Sequence, residues 1–150
     1  MGAEFWSYFV PYQPDIRAAL ALLREQEFRA GRFYQPPEIT PGFLGRLLGR
    51  RPARLGPPTS MRDALRIAGA TGTRSILDIE RIADRPDCGA VTPLSAEELR
   101  SLFGTEQPNR NAVEQSEALL ERIERGQGVF VITYERGSPS GIFFAGYSFD

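Results

Sequence analysis

The sequence predicts an α+β fold: a central, mostly antiparallel sheet that contains the N-terminal strand and a C-terminal hairpin, packed with three to four helices. Three observations predict it. Aromatic and β-branched residues crowd both ends of the chain, in residues 5–12 and again in 129–149, and such residues favour extended backbone. Between the ends, apolar residues recur at helical spacing. Each terminal strand is apolar on both faces, so each needs cover, and the intervening helices supply it. At 150 residues the chain fits one domain, residues 1–150, and buries roughly 68–70% of its unfolded surface without a covalent staple.

The first strand is predicted over residues 4–12, with Phe5 and Phe9 on one face and Trp6, Tyr8, Val10 and Tyr12 on the other. Pro11 limits its end. A helix follows over 14–30, with Pro14 and Asp15 at its start, Ile16, Ala19, Leu20, Leu23 and Glu27/Phe28 as its stripe, and Gly31 as its C-cap. Residues 32–59 read as a Pro/Gly/Arg-rich loop in which Phe43, Leu44, Leu47 and Leu48 form at most one helical turn. Ser60 with Asp63 opens a short helix to Ala68, and 69–73 is a turn.

Residues 75–83 fit a helix through Ile76, Ile79 and Ile82, but their β-branched content favours a strand, as does 90–94. Ser95 and Glu98 form a capping box for a helix to Phe103 before Gly104. A further helix is predicted over 109–125, with Val113, Leu119, Leu120 and Ile123 buried and Gly126 ending it. Strands over 129–135 and 142–149 make an antiparallel hairpin around a five-residue connection, 136–140. Gly146 inside the last strand marks a bulge or a close approach.

Composition removes most of the common catalytic parts. All 18 basic residues are arginine, histidine is absent, and Cys88 is the lone cysteine. No imidazole is available as base or metal ligand, and no lysine can form a Schiff base or a phosphate-loop contact. One cysteine makes no internal disulfide, which fits a reducing cytoplasm. The start of the chain lacks the pattern of a signal peptide, and no apolar run approaches the ~20 residues that span a bilayer. Neither a metal nor another cofactor is expected. A net charge of −1 argues against a nucleic-acid partner for the chain as a whole.

Arg46, Arg50, Arg51, Arg54, Arg62, Arg66 and Arg74 form a basic segment broken only by Asp63. Arginine pairs bidentately with carboxylate and phosphate, so the segment points to an acidic protein partner, with a solvated loop as the plain alternative. Trp6 and Tyr8 extend that candidate surface, because Trp and Tyr are enriched in interface cores; convergence with Tyr12, Tyr134 and Tyr147 on one sheet face is one reading, and a helix-covered core is the plainer one. The turn containing Gly72, Thr73, Arg74 and Ser75 presents backbone amides to an anion, though it lacks the ending of a nucleotide-binding loop. On a strand, Asp78 and Glu80 share a face and suit general acid–base work. Asp84 and Asp87 complete an acidic cluster in which Arg81 and Arg85 offer simple ion pairing. Cys88, beside Asp87, has no activating cation and reads as a small buried residue at a strand start.

The start Gly2-Ala3-Glu4-Phe5-Trp6 with Tyr8-Phe9-Val10-Pro11-Tyr12, the stretch 72–78 and the closing Phe143-Phe144-Ala145-Gly146-Tyr147-Ser148 resemble a family of small, stand-alone bacterial proteins to which no activity is assigned. The resemblance implies a bacterial, cytoplasmic, single-domain protein and supplies no site residue. The functional expectation is a non-enzymatic protein-binding module, an immunity- or antitoxin-like inhibitor of another protein. The alternative is a small enzyme or ligand-binding domain for an anionic, phosphate-bearing substrate, anchored by Arg74 with Asp78 or Glu80 as base.

Overall fold

The computed structural model describes residues 2–36, 47–49 and 56–149. Five strands form one mixed sheet: β1 (Phe5–Pro11), β2 (Arg81–Ile82), β3 (Ala90–Pro93), β4 (Gly128–Glu135) and β5 (Ser138–Tyr147), in the order β1-β5-β4-β3-β2. The two long pairings, β1 with β5 and β5 with β4, are antiparallel; the short pairings of β4 with β3 and β3 with β2 are parallel. The described α-helices are α1 (Ile16–Ala30), α2 (Met61–Ala68), α3 (Ala96–Phe103), α4 (Arg110–Glu114) and α5 (Glu117–Leu120). The N-terminal strand and the C-terminal hairpin therefore meet in one sheet as expected, with five α-helices among the described residues.

Both sheet faces are covered, as the two-sided apolar pattern of β1 requires. On one face Trp6, Val91, Phe130, Ile142 and Phe144 pack under Ala19, Leu20 and Leu23 of α1, with Tyr8, Val10 and Tyr12 at the margin. On the other, Val129, Val131, Phe143 and Ala145 pack against Val113, Leu119 and Ile123, with Phe9 and Tyr147 beside them. Tyr147 thus lies opposite Trp6, Tyr8 and Tyr12, so the five Trp and Tyr side chains do not converge on one face.

Local capping chemistry sets the helix ends. The Asp15 carboxylate, rather than Pro14, starts α1 by accepting from the Ala18 N–H at 3.0 Å. Gly31 ends it in the left-handed conformation at φ 67°. That turn brings the Arg32 guanidinium back onto the buried Glu27 carboxylate, with contacts of 3.0 and 2.7 Å, so a charge inside the helix stripe is paired. Ser60 caps α2, and Ser95 with Glu98 forms the full capping box of α3. The helix expected over 109–125 is interrupted: Ser116 accepts from the Leu119 N–H at 3.2 Å and starts α5 as a new N-cap. Serine competes with the helical ladder for backbone donors; of the predicted stripe, Val113, Leu119 and Ile123 are buried all the same and Leu120 is half-buried.

Residues 75–83 are neither a plain strand nor a helix. Ile76–Asp78 is a 3₁₀ turn, and Arg81–Ile82 is a two-residue strand. Ile76, Leu77, Asp78 and Ile79 are all buried. A strand alternates its side chains between faces, whereas the tight turn tucks all four inside.

The hairpin connection is two residues rather than five, since Glu135 pairs directly with Ser138. Arg136 and Gly137 both hold positive φ, 52° and 79°, as a type I′ turn demands. The bulge lies near Ser140, where the register shifts between Thr133 and Tyr134, while Gly146 is a site of close approach. An arginine in left-handed backbone costs free energy that asparagine largely avoids. Arg136→Asn is therefore expected to raise stability by ~0.5–1 kcal/mol, read as an upward shift in the urea midpoint; no shift or a fall would contradict the turn assignment.

Candidate functional site

The turn offered as an anion site is built around an anion of its own. Gly72 (φ +71°) carries the chain directly over the Asp78 carboxylate, where a Cβ would lie 2.7 Å from Oδ2. The Thr73 N–H donates to Asp78 Oδ1 at 2.6 Å and the Thr73 hydroxyl donates to the same oxygen at 2.8 Å. The Ser75 hydroxyl lies 2.9 Å from that of Thr73 and accepts from the Leu77 N–H at 3.2 Å, capping the 3₁₀ turn. Asp78 is 3% exposed. Burial pushes its carboxyl above the usual carboxylate range, against the opposing pull of the Thr73 amide and hydroxyl and the Arg74 and Ser75 amides. Among the described residues its Oδ2 has no hydrogen-bond partner. An internal carboxylate thus occupies the turn that the alternative reading offers to an external anion.

Arg74 is also engaged. Its backbone holds φ 55°, its guanidinium lies 4.2 Å from the Tyr34 ring centroid, and it pairs with Glu4 at 3.3 Å. The Tyr34 N–H donates to the Thr73 carbonyl at 2.7 Å. These contacts tie the chain just before β1, the segment after α1 and the 72–78 turn together. The arrangement anchors three segments and leaves the Thr73 amide committed inside the protein.

Asp78 and Glu80 do not share a strand face. Asp78 sits buried in the 3₁₀ turn, and Glu80 is exposed beyond it, so they form no acid–base pair. Asp84 and Asp87 are exposed, and Asp87 pairs with Arg81. Cys88 is an exposed free thiol rather than a buried residue. Among the described residues no group of three or more acidic or cysteine side chains is placed to hold a metal ion.

The partner-surface candidates separate. Trp6 is 5% exposed and belongs to the core, because β1 turns that face toward α1; its ring is not available to a docking partner. Tyr8 is partly buried beside it, and burial raises its phenol above the ordinary value. Arg62 is exposed on α2, and Arg66 pairs with Asp63 at 2.7 Å. Arg46, Arg50, Arg51 and Arg54 lie outside the described residues. Between them Leu47 and Leu48 are 74% and 72% exposed. The sequence signal for that pair is two leucines inside an arginine run, between Arg46 and Arg50.

No family model matches the chain, and no curated protein or solved structure is similar enough to register as a relative. Among the described residues no helix is long and apolar enough to cross a membrane.

Proposed function

We propose that the protein is a non-enzymatic protein-binding module that docks an acidic partner through the segment around Leu47 and Leu48, and that occupying the partner inhibits it in the manner of an immunity protein or antitoxin. The observation that carries this reading is the exposure of the two leucines, 74% and 72%, within a sequence holding Arg46, Arg50, Arg51 and Arg54. Large apolar side chains held in water are anchors for a groove on another molecule. The surrounding guanidiniums select a rim of carboxylates and speed encounter with it. The alternative, an anionic substrate seated on Gly72, Thr73, Arg74 and Ser75, has less support, because the Thr73 amide and the Arg74 guanidinium already have internal partners.

The test is affinity capture of the tagged protein from a native bacterial lysate, followed by mass spectrometry. A stoichiometric protein is expected to co-purify. Leu47→Asp with Leu48→Asp, and separately Arg50→Glu, Arg51→Glu and Arg54→Glu together, are each expected to weaken its binding at least about tenfold. The reading fails if wild type and both variants capture the same proteins in the same amounts.

A further inference from the structure

A cleft of about 390 Å³ lies between α1 and the edge strand β2. Leu20, Ala21 and Ile82 give it an apolar lining, and Arg17, Arg24, Arg81 and Glu80 stand around it. Arg17 and Arg24 are seven residues apart on α1, which places them on one helix face, with Leu20 and Ala21 between them. Arg81 is occupied by Asp87. Arg24 is not comparably occupied: among the described residues its Nε is buried without a hydrogen-bond partner, and a terminal nitrogen donates to the Leu77 carbonyl at 3.4 Å. Among the described residues no carboxylate lies within ion-pair distance of Arg24 or Arg17. A guanidinium that has lost hydration and gained no counter-charge is costly. Burial lowers the affinity of Arg24 for its proton, and the charge of Glu80 partly restores it.

We propose that this cleft binds a carboxylate carried on an apolar body, with Arg24 and Arg17 holding the carboxylate and Leu20, Ala21 and Ile82 contacting the apolar part. A planar carboxylate matches the guanidinium fork. A phosphate dianion suits the cleft less well, because Glu80 repels its greater charge. β2 is the last strand in the sheet order among the described residues, and the cleft beside it suits either a small organic acid or the free C-terminal carboxylate of a polypeptide. The proposal does not rest on the partner-binding reading.

The experiment is a titration of the full-length ¹⁵N-labelled protein, followed by amide chemical shifts. Probes are octanoate, octanol, and a short acetylated peptide ending in leucine, as free acid and as amide. Saturable shifts at residues 17–24 and 80–82 are expected with octanoate or the free-acid peptide and not with octanol or the amide. Tighter binding of octanoate assigns the source to a small acid; tighter binding of the peptide assigns it to a chain terminus. Arg24→Gln is expected to weaken binding roughly tenfold or more, since a charge-assisted hydrogen bond is lost. Arg24→Lys restores part of it, and Glu80→Gln tightens it. Leu47→Asp with Leu48→Asp should titrate as wild type does. The proposal is overturned if neither acid gives saturable shifts, if the uncharged probes bind equally well, or if a folded Arg24→Gln protein keeps full affinity.

Discussion

Gly146→Ala is expected to cost ~3 kcal/mol or more, enough to remove much of the stability of a domain this size. A Cβ at that position would lie 2.2 Å from Trp6 Cζ2 and 2.6 Å from the Gln127 carbonyl oxygen. Neither neighbour yields readily: Trp6 is wedged into the α1-side core, and the Gln127 carbonyl accepts from the Tyr147 N–H at 3.1 Å. Gly128 faces the same ring, with its own Cβ position 2.9 Å from Trp6, so the indole rests across two glycines on neighbouring strands. Trp6→Phe shortens the ring and also removes an indole N–H that is buried without a partner among the described residues, which offsets part of its packing loss. In the double variant the alanine should therefore cost less than it does alone. Urea unfolding of the four proteins measures the coupling. Additive losses would mean that the ring and Gly146 do not compete for space.

Asp78→Ala is expected to cost ~2–4 kcal/mol, because it strips the buried Thr73 amide and hydroxyl of their acceptor. Asp78→Asn should behave differently: it keeps an acceptor oxygen and carries no charge to desolvate. The distinction appears with pH. The native Asp78 carboxyl is raised by burial, so between the unfolded value of about 4 and that raised native value the folded state holds a proton that the unfolded chain has released. Stability from this group therefore falls as pH rises across the window, and the cost of the buried charge is present in full above it. Asp78→Asn should flatten that part of the profile and gain on wild type toward neutral pH. An unchanged slope in Asp78→Asn would show that another group is responsible.

Much of the fold is legible in the sequence because its signals are local. Ser95 and Glu98 are three residues apart, and the capping box forms as read. Gly31 closes α1 because left-handed backbone is open to glycine. The alternation of Phe9 against Trp6, Tyr8 and Val10 assigns β1 to two cores, while Phe5 at its start stays exposed. The misreadings arise where a long-range partner decides. Glycines, hydroxyls and amides around 72–75 look the same whether their anion is a ligand or Asp78. The stripe over 109–125 is helical in period, and only Ser116's choice of backbone partner splits it. Arginine before Gly137 gives no hint of a two-residue turn, because its left-handed backbone is imposed by the strands it joins. The Arg17 and Arg24 face of α1 is readable from spacing alone. That it overlooks a two-residue edge strand is not, since strand order is a property of the whole chain.

The sheet order also governs how the chain matures during synthesis. β1 has one strand neighbour among the described residues, and it is β5, with Phe5 opposite Tyr147 and Pro11 opposite Gly141. β1 thus leaves the ribosome well before β5, its partner, with its aromatic side chains lacking a sheet to join. Closing so long a loop makes the slow step entropic and late, and exposed apolar strands are prone to association in the interval. Nascent chains halted before residue 138 should therefore remain open to proteolysis at β1, and acquisition of resistance should coincide with emergence of β5.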